Sequence, residues 1–432
     1  MSDSGRQFVI VGNSAAGLSA LEAIRSVDRN CGITLVSDED LPAYSRVMTP
    51  YLVSGERKDI FIRDRTYYER MGVRCELGRR AVRIEEGKLL LDDGRTLPFD
   101  RILVATGSHA AVPGNLSLDS GGVFALKNLV DAEGIRARAA GSSRALIIGG
   151  GLICLLVVRA LMKRGLDLTI AVTSGRILSR MLDEEGSRIV ADRLERRGVK
   201  IRTGVDIVSI RGPGDVSAKG GSIEEGPGGA GILTAVSGEG EEFPAELMIV
   251  AKGIRSNIEL ARDSGVETSR GILVDPYMRT NREDVYAAGD AAESKDLLVR
   301  GKRTICATWF EAVYQGELAG YNMAGIKRPT RGSLKMNVME TADVPVASIG
   351  IYDGPEVERV VVHRASGGSG AGPDQEYRRI AVRKDRVIGA VLVGDVTDAG
   401  VLSQMIRRGL KLSELGRVDL RRKIVYPCLM RL

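Results

Sequence analysis

The stretch QFVIVGNSAAGLSALEAIRSVDRNCGITLVS, residues 7–37, decides the architecture. A short apolar run of β character ends at Val11 and a glycine turn follows. Apolar residues then recur at helical spacing through Val27, and a second β run spans Gly32 to Ser37. Strand, helix and strand in that order form a βαβ unit, which implies a parallel sheet. The turn carries Gly12 and Gly17 of a G-x-G-x-x-G pattern, with Ser14 where the middle glycine usually stands. Gly12 permits the tight turn, and Gly17 lets the helix approach the sheet. Ala15 and Ala16 lie between them, where the helix offers free backbone N–H groups and the positive end of its dipole. Such an end suits a pyrophosphate. A glycine turn alone also occurs in α/β proteins that bind no nucleotide, so this motif needs support from elsewhere in the chain.

The same order recurs in ALIIGGGLICLLVVRALMKRGLDLTIAVTS, residues 145–174. Here the turn holds Gly149, Gly150 and Gly151, and the helical run opens at Leu152 and Ile153. Two features depart from the pattern. Cys154 stands at the third glycine, and the second strand ends at Val172, where a carboxylate for the adenosine ribose is expected about 20 residues after the turn. Between the two units, KLLLDDGRTLPFDRILVATGS (88–108) reads as a hairpin turning at Asp92-Asp93-Gly94, followed by a buried strand running to Ala105, Thr106 and Gly107. Two glycine-rich segments, 211–231 and 366–375, are flanked by strand-like runs and read as hairpin tips. From Gly332 onward the pattern is alternating β followed by the helical DAGVLSQMIRRG (398–409). The expected fold is therefore α/β, with two Rossmann-like dinucleotide-binding domains plus a C-terminal α+β domain. The expected divisions are 1–113 with 254–327, then 114–253, then 328–432.

Composition bounds the function. A chain of 432 residues with 44% hydrophobic and 27% charged residues has the make-up of a globular protein of two or three domains. A net charge of +6 is too mild to imply nucleic acid without a motif, and no such motif is present. The five cysteines, Cys31, Cys75, Cys154, Cys306 and Cys428, include no C-x-x-C and no ferredoxin spacing. That argues against an iron–sulfur cluster, a structural zinc or a redox dithiol within the chain, and fits a reducing cytoplasm. No apolar leader precedes the first strand. The most apolar stretch, Leu146 to Leu161, is shorter than the ~20 residues of a membrane helix and is broken by three glycines. The expectation is a cytoplasmic protein without a membrane span.

Two further segments connect these pieces. DRILVATGSH (100–109) ends a strand at Ala105-Thr106-Gly107, and MRTNREDVYAAGDAAE (278–293) ends one at Gly289-Asp290. In this order, and together with the first glycine turn, they resemble the FAD-binding framework of the pyridine nucleotide–disulfide oxidoreductase superfamily over nearly the whole chain. The resemblance implies FAD, with Asp290 bonding the flavin's ribityl or pyrophosphate region and Asp38 or Glu39 taking the adenosine ribose. A plain helix cap is the alternative for Asp290.

LPAYSRVMTPYLVSGE (41–56) contains no cysteine where the disulfide-reducing branches carry theirs, which speaks against thiol-relay chemistry. Tyr44 and Arg46 form a Y-x-R that looks like the rubredoxin reductase, ferredoxin reductase and nitrite reductase flavin-domain branch, where the arginine contacts FAD. TWFEAVYQGELAGYNMAG (308–325) and RVIGAVLVGDVTDAGVLSQMIRRG (386–409) resemble the same branch. Thr308 and Trp309 would open a helix aimed at the flavin, although Trp309 equally suits core packing.

In that branch the loop Gly149-Gly150-Gly151, continuing into Leu152 and Ile153, lies under the NAD(P)H pyrophosphate. Many relatives pair a glutamate at the Leu156 position with a lysine after the Y-x-R, and neither is present here. Thr173, Ser174 and Arg176 could accept a 2′-phosphate, or Arg176 could be a solvated turn residue. AELMIVAKGIRSNIELA (245–261) resembles the family's nicotinamide-side strand. Gly253 and Asn257 stand in pattern there, while Lys252 and Ser256 replace commoner residues.

The implied activity is transfer of hydride between NAD(P)H and flavin, and of single electrons to or from a protein partner: a ferredoxin, a rubredoxin or an iron–sulfur subunit. The alternative is an FAD-containing electron-transfer subunit of a larger complex whose NAD(P)H site is degenerate. With only His109 and His363 in the chain, no acid–base catalytic residue stands out. The basic run from Met405 to Leu432 would steer an acidic redox protein. A solvated face, or a tail docked on the partner of a homodimer, explains it as well.

Overall fold

A computed structural model describes residues 5–118, 121–212, 231–341, 343–366, 375–415 and 419–424. The chain divides into two compact units. One comprises residues 1–47, 59–109 and 254–334, and the other 48–58, 110–253 and 335–432.

The first unit is built on the opening βαβ. Strand Gln7–Val11 pairs in parallel with Gly32–Ser37 on one side and with Arg101–Val104 on the other. Val73–Leu77 and Val285–Ala287 complete a five-stranded parallel sheet at its two edges. Phe8, Ile10, Leu35 and Leu103 are all essentially buried, as near-continuous apolar strands in a covered parallel sheet must be. The helix between the first two strands, Ala15–Val27, buries Leu18, Leu21 and Ile24 against that core. It also carries a stripe of small residues, onto which a second helix, Trp309–Met323, packs. A Cβ on Gly316 would stand 2.2 Å from the Ala16 carbonyl oxygen, and one on Gly320 2.5 Å from that of Ala20. Only glycine permits so close a crossing of two backbones.

The second unit repeats this plan. Its parallel sheet runs in the order Lys200–Thr203, Asp167–Val172, Arg144–Ile148, Leu247–Val250, Val123–Phe124. The order of the four shared strands matches that of the first sheet, and only the outermost strand comes from a different point in the chain. Each unit also inserts a three-stranded antiparallel sheet between the third and fourth of these shared strands in chain order. These are Ala81–Glu85, Lys88–Leu91 and Thr96–Pro98 in the first, and Ile207–Arg211, Leu233–Ser237 and Glu242–Ala245 in the second. The glycine-rich stretch 213–230 lies outside the described residues, and its flanking strands pair antiparallel, as in a hairpin.

The C-terminal part of the second unit is a five-stranded antiparallel sheet in the order Met336–Thr341, Val344–Gly350, Arg386–Val393, Gln375–Arg383, Arg359–Ser366. One helix, Ala399–Arg408, covers it with Leu402, Met405 and Ile406. Residues 367–374, the second glycine-rich segment, lie outside the described residues, as do 416–418 and 425–432 of the basic C-terminal run. Among the described residues, no helix is long and apolar enough to cross a membrane.

Candidate functional site

Each glycine turn makes a cradle at the C-terminal edge of its parallel sheet, where open α/β sheets bind their ligands. In the first unit, Gly12 has φ +123°, and a Cβ there would lie 2.1 Å from the Ala105 carbonyl oxygen. Gly17 comes still closer: its Cβ would lie 1.9 Å from the Gly12 carbonyl oxygen. The helix therefore begins tight against the strand, with Ser14 as an extended N-cap whose side chain makes no capping bond. No acidic residue lies in the first turn, so no carboxylate of the helix itself offsets its dipole or the amides of Ala15, Ala16 and Gly17. That donor set fits a phosphate anion.

Around this cradle stand the other expected residues of the first unit. Asp38 is exposed just past the second strand. Glu39 is half-buried and accepts hydrogen bonds from the Tyr44 hydroxyl at 2.7 Å and from Arg46 Nη2 at 2.5 Å. The Arg46 guanidinium also sits 5.1 Å from the centre of the Tyr44 ring. The Y-x-R motif thus fixes one carboxylate of the pair and leaves the other toward solvent.

Thr106 and Gly107 are held from across the chain by Asn257, while Ala105 N donates to the Val11 carbonyl. Thr106 Oγ1 donates to the Asn257 carbonyl at 2.8 Å, and Asn257 Nδ2 donates to the Thr106 carbonyl at 2.8 Å. Asn257 Oδ1 lies 2.6 Å from His109 Nδ1. The Asn257 amide nitrogen faces the Thr106 carbonyl, so its oxygen faces the His109 ring.

Gly289, at φ +75°, opens a short 3-10 turn over Gly289–Ala291. The N-cap of that turn is Ala288, so Asp290 is not a helix cap. Its Oδ2 accepts a 2.6 Å bond from the buried Ser108 hydroxyl, while the Gly289 N–H is held by Gln315 Oε1 at 2.9 Å. Thr308 caps the helix Trp309–Met323, its hydroxyl accepting from Glu311 N, and Trp309 is half-buried against the core of the first unit. Ser108 and Gln315 are orienting groups that motif reading passes over, because neither belongs to the glycine or acid pattern.

In the second unit Gly149 has φ +133°, and a Cβ there would lie 2.3 Å from the Ala251 carbonyl oxygen. Gly151 is the N-cap of the helix Leu152–Met162, with open space where its Cβ would be and no acid in the first turn. Leu152 and Ile153 are half-buried at that end, and Gly253 is exposed past the neighbouring strand. The cradle is the same as in the first unit, with two differences. Cys154 is fully buried at the helix–sheet contact, where desolvation pushes its thiol far up, so it is inert there. Val172 is buried, and its Cγ2 would be 2.7 Å from a Cβ on Gly150, so an apolar side chain covers the glycine loop where a ribose carboxylate is expected.

The hydroxyls after Val172 are already engaged. Thr173 donates to Asp206 at 3.1 Å and Ser174 to the Arg176 carbonyl at 2.8 Å. Arg176 is half-buried, with its Nε buried and making no hydrogen bond among the described residues. The segment 48–58 and the helix Leu152–Met162 are joined by charges other than the glutamate–lysine pair of the resembled branch. From the helix Leu152–Met162, Arg159 reaches Glu56 at 3.0 and 3.2 Å, and its guanidinium lies 4.8 Å from the Tyr51 ring. Lys163, just past the helix, bonds Glu56 too. Glu56 thus pairs with cations one and two helical turns beyond Leu156.

Among the described residues, no group of three or more His, Cys, Asp or Glu is placed to hold a metal ion.

Family models and known relatives match the chain over most of its length. The family model described as pyridine nucleotide-disulphide oxidoreductase matches residues 6–316, and that described as the rubredoxin NAD+ reductase C-terminal domain matches residues 336–410. The chain is similar to an NAD(P)H nitrite reductase of Bacillus subtilis (strain 168), 28% identical over 421 residues. That match covers 96% of this chain and 49% of the relative, so the chain spans about half its length. It is 29% identical over 416 residues to the epsilon subunit of an NADH-dependent phenylglyoxylate dehydrogenase of Aromatoleum evansii, covering 95% of this chain and 93% of that one. Among solved structures, an NAD-dependent persulfide reductase from A. fulgidus superimposes with a TM-score of 0.83 at 27% identity, over 96% of this chain and 79% of that one.

Proposed function

Since the chain belongs to the pyridine nucleotide-disulphide oxidoreductase family, we propose that it is an FAD-dependent oxidoreductase that moves hydride between NAD(P)H and flavin. Single electrons then pass to or from a protein redox partner: a ferredoxin, a rubredoxin or an iron–sulfur subunit. The observation that carries this reading is the repetition of one phosphate cradle, at Gly12 and at Gly149, on two sheets of the same strand order. One cradle serves each nucleotide. Bound flavin supplies the conversion between two-electron and one-electron chemistry.

The chain's own residues bind and orient. The amides at Ala15, Ala16 and Gly17 take the FAD pyrophosphate. Glu39, pinned by Tyr44 and Arg46, or the exposed Asp38 takes the adenosine ribose. Asp290, aimed by Ser108, takes the ribityl or phosphate end. Thr106 and Gly107, locked by Asn257, wall that end of the site, and the helix capped by Thr308 brings its positive end and Trp309 toward the flavin. Gly149 to Ile153, with Gly253, form the coenzyme cradle. We assign residues 328–432 as an interface domain, within which the match to a rubredoxin reductase C-terminal domain falls.

A second reading, an electron-transfer subunit with a lapsed coenzyme site, draws on the apolar Val172 over the glycine loop and on Cys154 in the helix seam. Anaerobic mixing of the FAD-loaded protein with NADH, and separately with NADPH, decides between them. Fast bleaching of the flavin by either coenzyme is the expected result. No bleaching by either, with dithionite still reducing the flavin, overturns the coenzyme reading and favours the relay subunit.

A further inference from the structure

The missing carboxylate at Val172 has a neighbour able to replace it. Strands Asp167–Val172 and Leu247–Val250 flank Arg144–Ile148 on either side. Just past the first flanking strand is Thr173, and just past the second is Lys252. Both reach one side chain, Asp206, which follows the edge strand Lys200–Thr203. Thr173 Oγ1 donates to Asp206 Oδ1 at 3.1 Å, and Lys252 Nζ donates to the same oxygen at 2.6 Å. The bridge therefore spans the C-terminal end of the middle strand, where Gly149 begins the cradle. The backbone fixes its position: Val205 N donates to the Val172 carbonyl at 3.1 Å, and Gly204 N donates to that of Ser174 at 3.3 Å.

Three properties of Asp206 bear on a ligand. Both bonds fall on Oδ1, and no donor among the described residues is recorded on Oδ2. The side chain is 53% exposed, which leaves the carboxylate within reach of a ligand. The Lys252 ammonium, followed by the Thr173 hydroxyl, holds the carboxyl below its ordinary range, so it is ionised at any working pH. An ionised, pre-aimed oxygen beside the end of the second strand is the acceptor a ribose diol needs. The same group opposes a 2′-phosphate. Lys252 is already neutralised by Asp206, and the Thr173 and Ser174 hydroxyls have spent their protons.

We propose that Asp206 is the carboxylate that receives the adenosine ribose diol, and that the Thr173–Asp206–Lys252 bridge makes this cradle selective for the coenzyme lacking a 2′-phosphate. The inference rests on the coenzyme reading above and names the residue that carries its specificity. Lys252 is a positioning residue here, since it holds Oδ1.

The test is calorimetric titration of the purified full chain with ADP-ribose and, separately, with 2′-phospho-ADP-ribose, probes that need no turnover. Wild type is expected to bind ADP-ribose more tightly. Asp206→Ala, an exposed change, should weaken ADP-ribose by about 10- to 150-fold, the range for a hydrogen bond to a charged group, and leave the phosphorylated probe unchanged or improved. Lys252→Met, which bares the Asp206 charge, should weaken the phosphorylated probe further. Equal binding of ADP-ribose by wild type and Asp206→Ala overturns the proposal while the coenzyme reading stands. So does a wild-type preference for the phosphorylated probe, or a Lys252→Met protein that binds that probe as wild type does, and a preference for it would transfer the role to Arg176. If wild type binds neither probe, the coenzyme reading itself fails and this proposal falls with it.

Discussion

Replacing Gly17 with alanine adds one methyl group at the tightest point of the first cradle. Its Cβ would lie 1.9 Å from the Gly12 carbonyl oxygen and 3.3 Å from Ile10 Cγ2, and carbon–oxygen contacts under 3.0 Å essentially never occur. The helix Ala15–Val27 must then retreat by about 1.1 Å at its first turn. The other side offers no relief, because the helix bearing Gly316 and Gly320 already touches its backbone. For folding, overpacking costs ~1–3 kcal/mol and alanine's better helix propensity returns ~1 kcal/mol, which leaves a net loss of up to ~2 kcal/mol. For FAD the effect is larger. A hydrogen bond of ~2.9 Å stretched by that displacement is lost, and a bond to a charged phosphate carries ~1.5–3 kcal/mol.

The expected result is a folded protein whose FAD dissociation constant rises about 10- to 150-fold for each amide displaced. Titration of the deflavinated protein with FAD, followed by flavin fluorescence, measures it, and far-UV circular dichroism confirms the fold. Gly141→Ala, with nothing within 4 Å of the added Cβ, is the control and should bind as wild type does. A folded Gly17→Ala protein with wild-type FAD affinity would refute the phosphate-cradle argument.

Two stability predictions follow from one buried and one exposed charge in the second unit. Arg378 grips Asp398 with two bonds of 2.9 and 2.7 Å, and the carboxylate is only 2% exposed, so Arg378→Met should cost ~3–5 kcal/mol by stranding that charge. Adding Asp398→Asn should recover part of the loss in a thermal melt, and a double variant no better than the single would remove the stranded-charge explanation. Glu56 is held down to about 2, chiefly by its bond to Lys163 and then by Ser54 and Arg159. A carboxylate depressed in the folded state stabilises above its ordinary range near 4.5 and loses that contribution as pH falls toward 2. Across that window the unfolding free energy of wild type from urea titrations should fall more than that of Glu56→Gln, by up to ~1 kcal/mol for a pair this near the surface. Parallel acid sensitivity in the two proteins would show that the cluster contributes nothing.

The sequence by itself determined the repeated architecture, because its signals are local. A β run, a glycine turn and a helical run occupy consecutive residues, and close backbone approach at Gly12, Gly17 and Gly149 leaves a mark in residue type. Cys154 and Val172 were likewise visible as departures, since the pattern fixes what belongs at those places. Tertiary structure decided how carboxylates and hydroxyls are spent. That Glu39 rather than Asp38 is pinned by Tyr44 and Arg46 depends on how a loop folds back. That Asp290 is aimed by Ser108 depends on two strand ends 182 residues apart in sequence. Asp206 belongs to no motif, and an acid among 56 acidic residues has nothing to distinguish it along the chain. Only the parallel sheet brings it beside Thr173 and Lys252, because strand order places chemically linked groups at one edge however far apart they lie in sequence.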